Sequence, residues 1–92
     1  MENAEIIDVL NGIAALLRIK KESIFKIRAY EKVAKTIAEM DVNVDQLARE
    51  NRLKEIPGIG EAINKKITEL VTTGKLQYYE TLKSEISALE TD

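Results

Sequence analysis

Apolar residues recur every three to four positions along most of the chain, the period of a helix with one buried face. The spacing predicts a first helix over about Ala4 to Ile19, with Ile6, Ile7, Leu10, Ile13, Ala14 and Leu17 inward. A second runs from about Ile24 to Met40, capped by Ser23, with Ile27, Tyr30, Val33, Ala34, Ile37 and Ala38 inward. Asp41 or Asn43 caps a short third helix, about Val44 to Asn51, with Leu47 and Ala48 inward. A fourth spans about Glu61 to Thr73 and stops at Gly74, in the position of a C′ glycine. A fifth covers about Leu76 to Leu89, with Leu76, Tyr79, Leu82, Ile86 and Leu89 inward, and the tail Glu90-Thr91-Asp92 is expected to fray. No segment alternates with the period of a strand. The expected fold is all-α, a compact bundle of about five short helices, and residues 1–92 form one domain.

The densest information lies between the third and fourth helices, in Leu53-Lys54-Glu55-Ile56-Pro57-Gly58-Ile59-Gly60-Glu61-Ala62. An apolar helix end (Leu53, Ile56) runs into a tight turn, and a new helix starts at once. Gly58 suits positive φ in the turn. Ile59 anchors the loop from below. Gly60 lets a bulky ligand approach the backbone and leaves the first N–H groups of the next helix uncovered, a ready anion site. This is the pattern of a helix-hairpin-helix over about residues 47–73, a module that grips nucleic acid by its phosphates without reading bases. The same turn also serves as a purely structural helix corner in some proteins.

Charge refines the picture. The net charge is −2, from 14 Lys and Arg against 16 Asp and Glu, but it is unevenly spread. Residues 18–35 hold seven basic side chains (Arg18, Lys20, Lys21, Lys26, Arg28, Lys32, Lys35) against Glu22 and Glu31, a local +5. Residues 1–17 and 77–92 are each −3. A local patch, not the total, steers a polyanion, although a basic run can also be only a solvated helix face. With no cysteine and no histidine, disulfides, ordinary zinc sites and histidine acid–base chemistry are excluded. No apolar run reaches membrane-spanning length and the N-terminus lacks a basic-then-apolar signal, so a cytoplasmic, nucleoid-associated protein with no membrane partner is expected.

Two lysines in the fourth helix differ by position. Lys65 is four residues from both Glu61 and Glu69 and belongs to a solvated face. Lys66 lies beside the core stripe of Ile63 and Leu70, where burial of its stem lowers the affinity of the amine for its proton. A neutral amine there can attack an aldehyde to give a Schiff base; a lysine that merely snorkels from the core edge fits the spacing equally. Tyr30, with Lys26 one turn earlier, suits a phosphate pocket or ordinary packing.

Phe25-Lys26-Ile27-Arg28-Ala29-Tyr30, Ile56-Pro57-Gly58-Ile59-Gly60 and Thr73-Gly74-Lys75-Leu76 together resemble the N-terminal domain of the family X DNA polymerases, in its bacterial and archaeal form, over about residues 4–87. The resemblance implies a fragment of a longer repair polymerase that docks on gapped or nicked DNA and holds the 5′-phosphate side, with the polymerase's catalytic domains as partners. It implies a phosphate pocket at Lys26 and Tyr30, and the hairpin at Gly58, Ile59, Gly60 and Ala62, with Lys54, Lys65 and Lys75, is expected to contact DNA as well. It also implies a Na⁺ or K⁺ held by the carbonyls of Glu55, Pro57 and Ile59, with no cofactor required, and Lys66 as Schiff-base nucleophile of a 5′-deoxyribose phosphate lyase. The chain departs from the lyase-active pattern at Phe25 (a histidine there), Ala62 and Tyr78 (lysines there), and Glu61 adds negative charge near the phosphate site. The polymerase palm with its catalytic aspartates is absent from this sequence, so no polymerase activity is expected of it. Three functions remain open: a sequence-independent DNA-binding module, a lyase, and a protein-interaction domain.

Overall fold

A computed structural model of the chain describes residues 1–90; of the tail expected to fray, Glu90 is still part of the last helix, and Thr91 and Asp92 lie outside the described residues. Five α-helices follow in order: α1 (Asn3–Ile19), α2 (Ile24–Glu39), α3 (Val44–Arg49), α4 (Glu61–Thr73) and α5 (Gln77–Glu90). A single 3₁₀ turn, Leu53–Glu55, precedes the hairpin. The described residues contain no strand. The all-α bundle read from the apolar period is therefore the fold observed.

The caps explain the boundaries. Ser23 Oγ accepts from the Phe25 N–H and Asn43 Oδ1 from the Gln46 N–H, so Asn43 rather than Asp41 starts α3. α2 ends at Glu39, where Met40 turns extended. α3 stops at Arg49, two residues before its expected end, because Asn51 is left-handed (φ 58°). There the Arg52 N–H reaches the Leu47 carbonyl and the Asn51 N–H the Ala48 carbonyl, a Schellman closure. α1 ends the same way on Lys21 (φ 59°), with Glu22 N–H to Leu17 O and Lys21 N–H to Arg18 O. A lysine carries its Cβ into this conformation at a cost of about 1 kcal/mol. Lys21→Gly is expected to stabilise the domain by about 0.5–1 kcal/mol, a rise of a few degrees in Tm by thermal circular dichroism.

α1 is the spine, with α2 and α5 packed on it, while α3 packs on α4. The core includes the fully buried Ile6, Leu10, Ile13, Leu17, Val33, Ile37, Val44, Leu53, Ile56 and Ile67. Asn3 ties the start of α1 to that of α3, its amide donating to the Val42 carbonyl (2.6 Å) and accepting from the Val44 N–H (3.0 Å). Gly12, midway along α1, is a notch: a Cβ there would lie 2.3 Å from the Tyr79 hydroxyl and 2.8 Å from the ring carbon bearing it. Lys20 pairs with Glu85. With Gly12 beside Tyr79, this shows α1 and α5 running in the same direction.

Two inward assignments are corrected. Ala38 is exposed, as it sits at the rim of the α2 stripe one residue past Ile37. Leu89 is 65% exposed, because the last turn of α5 runs past the end of α1 and nothing covers it. Leu47 is half-buried against the core.

Candidate nucleic-acid interface

The hairpin is built as its residues dictate. Pro57 sits second and Gly58 third in a four-residue turn closed by the Ile59 N–H on the Ile56 carbonyl (3.3 Å). Gly58 has φ +90°, the type II signature that a side chain resists. Leu53 and Ile56 are buried beneath the turn and Ile59 is half-buried against the same core. The approach to an apolar helix end is thus a 3₁₀ turn, not a continuation of α3.

Gly60 is the N-cap of α4 in extended backbone (φ −88°, ψ −179°), and a Cβ added there would meet nothing within 4 Å. Neither conformation nor packing requires glycine at this place, and the backbone there lies open to approach from outside. No side chain caps α4. The Gly60 carbonyl takes the Asn64 N–H, and the N–H groups of Glu61, Ala62 and Ile63 are left to an external acceptor.

These groups open onto a concavity of about 560 Å³ lined by Lys26, Ala29, Tyr30, Gly58, Gly60, Glu61, Ala62, Ile63, Lys66 and Tyr78. Five of the expected DNA contacts (Lys26, Tyr30, Gly58, Gly60, Ala62) therefore meet in one place with Lys66. The Lys66 Nζ lies 4.5 Å from the centre of the Tyr78 ring, and the Lys26 Nζ lies 5.9 Å from it. Tyr30 stacks on Tyr78 with centroids 6.5 Å apart and planes 14° from parallel. Burial, then the charge of Lys26, push the Lys66 amine below the ordinary lysine range, while Glu69 pulls it back up. Burial, then the neighbouring Tyr78 phenol, hold the Tyr30 hydroxyl above the ordinary tyrosine range, so it stays protonated as a donor.

The remaining expected contacts fall elsewhere. Lys65 faces out, 3.3 Å from Glu61, with both side chains largely exposed, so the pair contributes little. Glu69 is not its partner, since a Glu69 carboxylate oxygen accepts from the Gln77 N–H (2.8 Å) at the start of α5. Lys65 lines a second concavity, which shares Glu61, Ala62, Lys66 and Tyr78 with the first. Lys54 and Lys75 are exposed outside both. The carbonyls proposed for a cation, those of Glu55, Pro57 and Ile59, flank one that is not available. The Ile56 carbonyl is committed within the turn, and the Pro57 and Ile59 carbonyls receive no hydrogen bond in the described residues. Glu55 ends the 3₁₀ turn. Neutral carbonyl oxygens fit a hard monovalent cation, and no cluster of acidic side chains that would hold a metal ion occurs among the described residues.

The basic run is not one patch. Arg18 is held by both oxygens of Glu31 (3.0 Å each) and Lys20 by Glu85. Arg28, Lys32 and Lys35 lie at i, i+4 and i+7 on the side of α2 opposite its buried stripe. Lys26 alone of the seven lines the concavity. Phe25, one residue before it, is the most exposed of the large apolar side chains described, at 81%.

Tyr78 is the site residue that the sequence hid. It was legible only as a missing lysine, whereas its ring is the surface shared by both ammonium groups. No described helix is long and apolar enough to cross a membrane. The helix-hairpin-helix, a DNA-binding architecture, is carried here by the 3₁₀ turn, the type II turn and α4, with uncapped amides and two lysines beside them. The chain matches the helix-hairpin-helix domain family over residues 1–76, most of its 92 residues, and it belongs to that family.

Proposed function

We propose that this domain holds DNA by its backbone at the 5′-phosphate side of gaps or nicks, as a sequence-independent module of a longer family X repair polymerase. Its partners are then the DNA and the catalytic domains of that enzyme, at the nucleoid. One observation carries this reading: the uncapped N–H groups of α4 and two ammonium groups that form no ion pair among the described residues, Lys26 and Lys66, face one open concavity. A terminal phosphate carries more charge than an internal one and suits such a cluster of donors. Lys54, Lys65 and Lys75 add contacts along the flanking duplex, and a Na⁺ or K⁺ on the carbonyls of Glu55, Pro57 and Ile59 would lend positive charge toward a DNA phosphate.

Gapped duplexes with and without a 5′-phosphate, compared by fluorescence anisotropy, test this. The phosphorylated end is expected to bind more tightly, with about a tenfold loss in Lys26→Ala, the scale of one charge-assisted hydrogen bond. Gly60→Ala is expected to fold, at a cost under about 1 kcal/mol, yet to weaken binding because its methyl group stands in the open approach. Equal affinity for both ends would reduce the function to general backbone binding. Unchanged binding in Gly60→Ala would remove the hairpin from the interface and favour the protein-interaction domain.

The environment of Lys66 supports a second reading, a 5′-deoxyribose phosphate lyase. The neutral amine adds to the C1′ aldehyde of the ring-opened sugar, and the carbinolamine takes up a proton from solvent and loses water, giving an iminium ion. Loss of a C2′ proton then breaks the C3′–O bond, releasing DNA with a 5′-phosphate, and water regenerates the lysine. Borohydride trapping on pre-incised abasic DNA is expected to give an adduct that Lys66→Ala abolishes while DNA affinity persists. An adduct that survives in Lys66→Ala moves the chemistry to Lys26 or Lys65, and a protein that shifts gapped DNA without an adduct is a binding module only.

A further inference from the structure

The matched family segment ends at residue 76, so α5 and its first residues stand apart from it. Those residues do two things at once to α4. The Gln77 N–H, at the start of α5, takes a carboxylate oxygen of Glu69 at 2.8 Å. The next residue, Tyr78, places its ring 4.5 Å from the Lys66 Nζ. Lys66 and Glu69 are three residues apart on one helix, a spacing at which a lysine and a glutamate commonly pair. No ion pair joins them among the described residues.

We propose that the start of α5 is a positioning device for Lys66: its backbone N–H holds Glu69 while the Tyr78 ring holds the amine, so the two charges of α4 stay apart. An amine paired with a carboxylate keeps its proton and is a poor nucleophile. An aromatic face holds the charged amine more weakly than a carboxylate does and also buries it, so Lys66 on the ring gives up its proton more readily than it would in an ion pair. Tyr78 is thus a positioning residue, and it matters for reaction only if Lys66 forms a Schiff base, so the inference rests on the second reading above.

The test separates the two. A small aldehyde, propanal with cyanoborohydride, reports the reactivity of each lysine without any need for DNA docking. Rates at Lys66 and Lys65 are read by peptide mass mapping across a pH series. The groups facing Lys66 are Lys26 and Tyr30 from α2, Glu61, Lys65 and Glu69 from α4, and Tyr78 from α5. Lys66 is expected to react faster than Lys65 at neutral pH. In Tyr78→Ala burial is relieved and the Lys66 amine, no longer held on the ring, is free to swing toward Glu69, so the Lys66 profile moves to higher pH and its neutral rate falls about tenfold for each pH unit moved. Tyr78→Phe keeps the ring and is expected to keep the advantage, and adding Glu69→Gln to Tyr78→Ala to recover part of it. Tyr78→Leu, of similar bulk, guards against misfolding, checked by circular dichroism. A Lys66 no faster than Lys65, an unmoved profile in both Tyr78→Ala and Tyr78→Leu, or Tyr78→Phe as slow as Tyr78→Ala overturns the proposal. The expected pattern with propanal but no adduct on abasic DNA upholds the device and removes the lyase.

Discussion

Raising the salt concentration from about 50 to about 200 mM is expected to weaken DNA binding roughly one-hundredfold. Each phosphate neutralised by a protein cation releases condensed counterions, and the slope of log affinity against log salt is about −0.9 per phosphate. Lys26 and Lys66 in the concavity, with Lys54 and Lys75 beyond it, supply about four such contacts, and a fourfold rise in salt then gives the stated loss. The net charge of −2 does not oppose this, since the acidic stretches lie at the two ends of the chain and the uncapped amides of α4 add an attraction that formal charge omits. Lys26→Ala should make the slope shallower by about one, whereas changing the base sequence of the duplex should leave it alone. Anisotropy titrations at four or five salt concentrations decide the matter, and a flat dependence would argue for a protein partner.

Ile56→Ala should lower stability by about 2–5 kcal/mol, the range for truncating a large aliphatic side chain in a packed core. For a domain of this size that is a fall in Tm of at least about 10 °C. Ile56 is 1% exposed and sits directly before the Pro57-Gly58 turn. Its carbonyl closes that turn, so one residue joins the core to the hairpin loop. The loss should appear in thermal circular dichroism, and DNA binding should weaken even well below the transition. A change under about 1 kcal/mol would show that the hairpin collapses onto a looser base than its burial implies.

Much of this fold could be read from residues whose chemistry acts locally. Ser23, Asn43 and Gly74 end or begin helices by their own hydrogen bonds or backbone preference, and they stand at the observed boundaries. The apolar period found nearly every buried position. It failed where a neighbour decides the outcome, as at Leu89, which has the right phase but no helix opposite. Lys21 and Asn51 adopt left-handed backbone that glycine would have announced. Gly12 carries no signal of its own in the sequence, because its reason, the ring of Tyr79, lies on another helix. Within the site, Lys26, Tyr30, Gly58, Gly60, Ala62 and Lys66 do converge on one concavity. The apparent unity of the basic run did not survive, because Arg18 and Lys20 are claimed by Glu31 and Glu85, one on a different helix from its partner and the other 65 residues distant.

The spine arrangement has a mechanical consequence. Close backbone packing joins α2 and α5 to α1, and α3 to α4, so the concavity lies on a seam: Lys26, Tyr30 and Tyr78 belong to one half, and the hairpin with Lys66 to the other. A phosphate gripped there is a rivet across two plates. Whatever load a bound phosphate transmits to the hairpin is then shared with the opposite half of the molecule, through the rivet as well as through the one apolar core that both halves build.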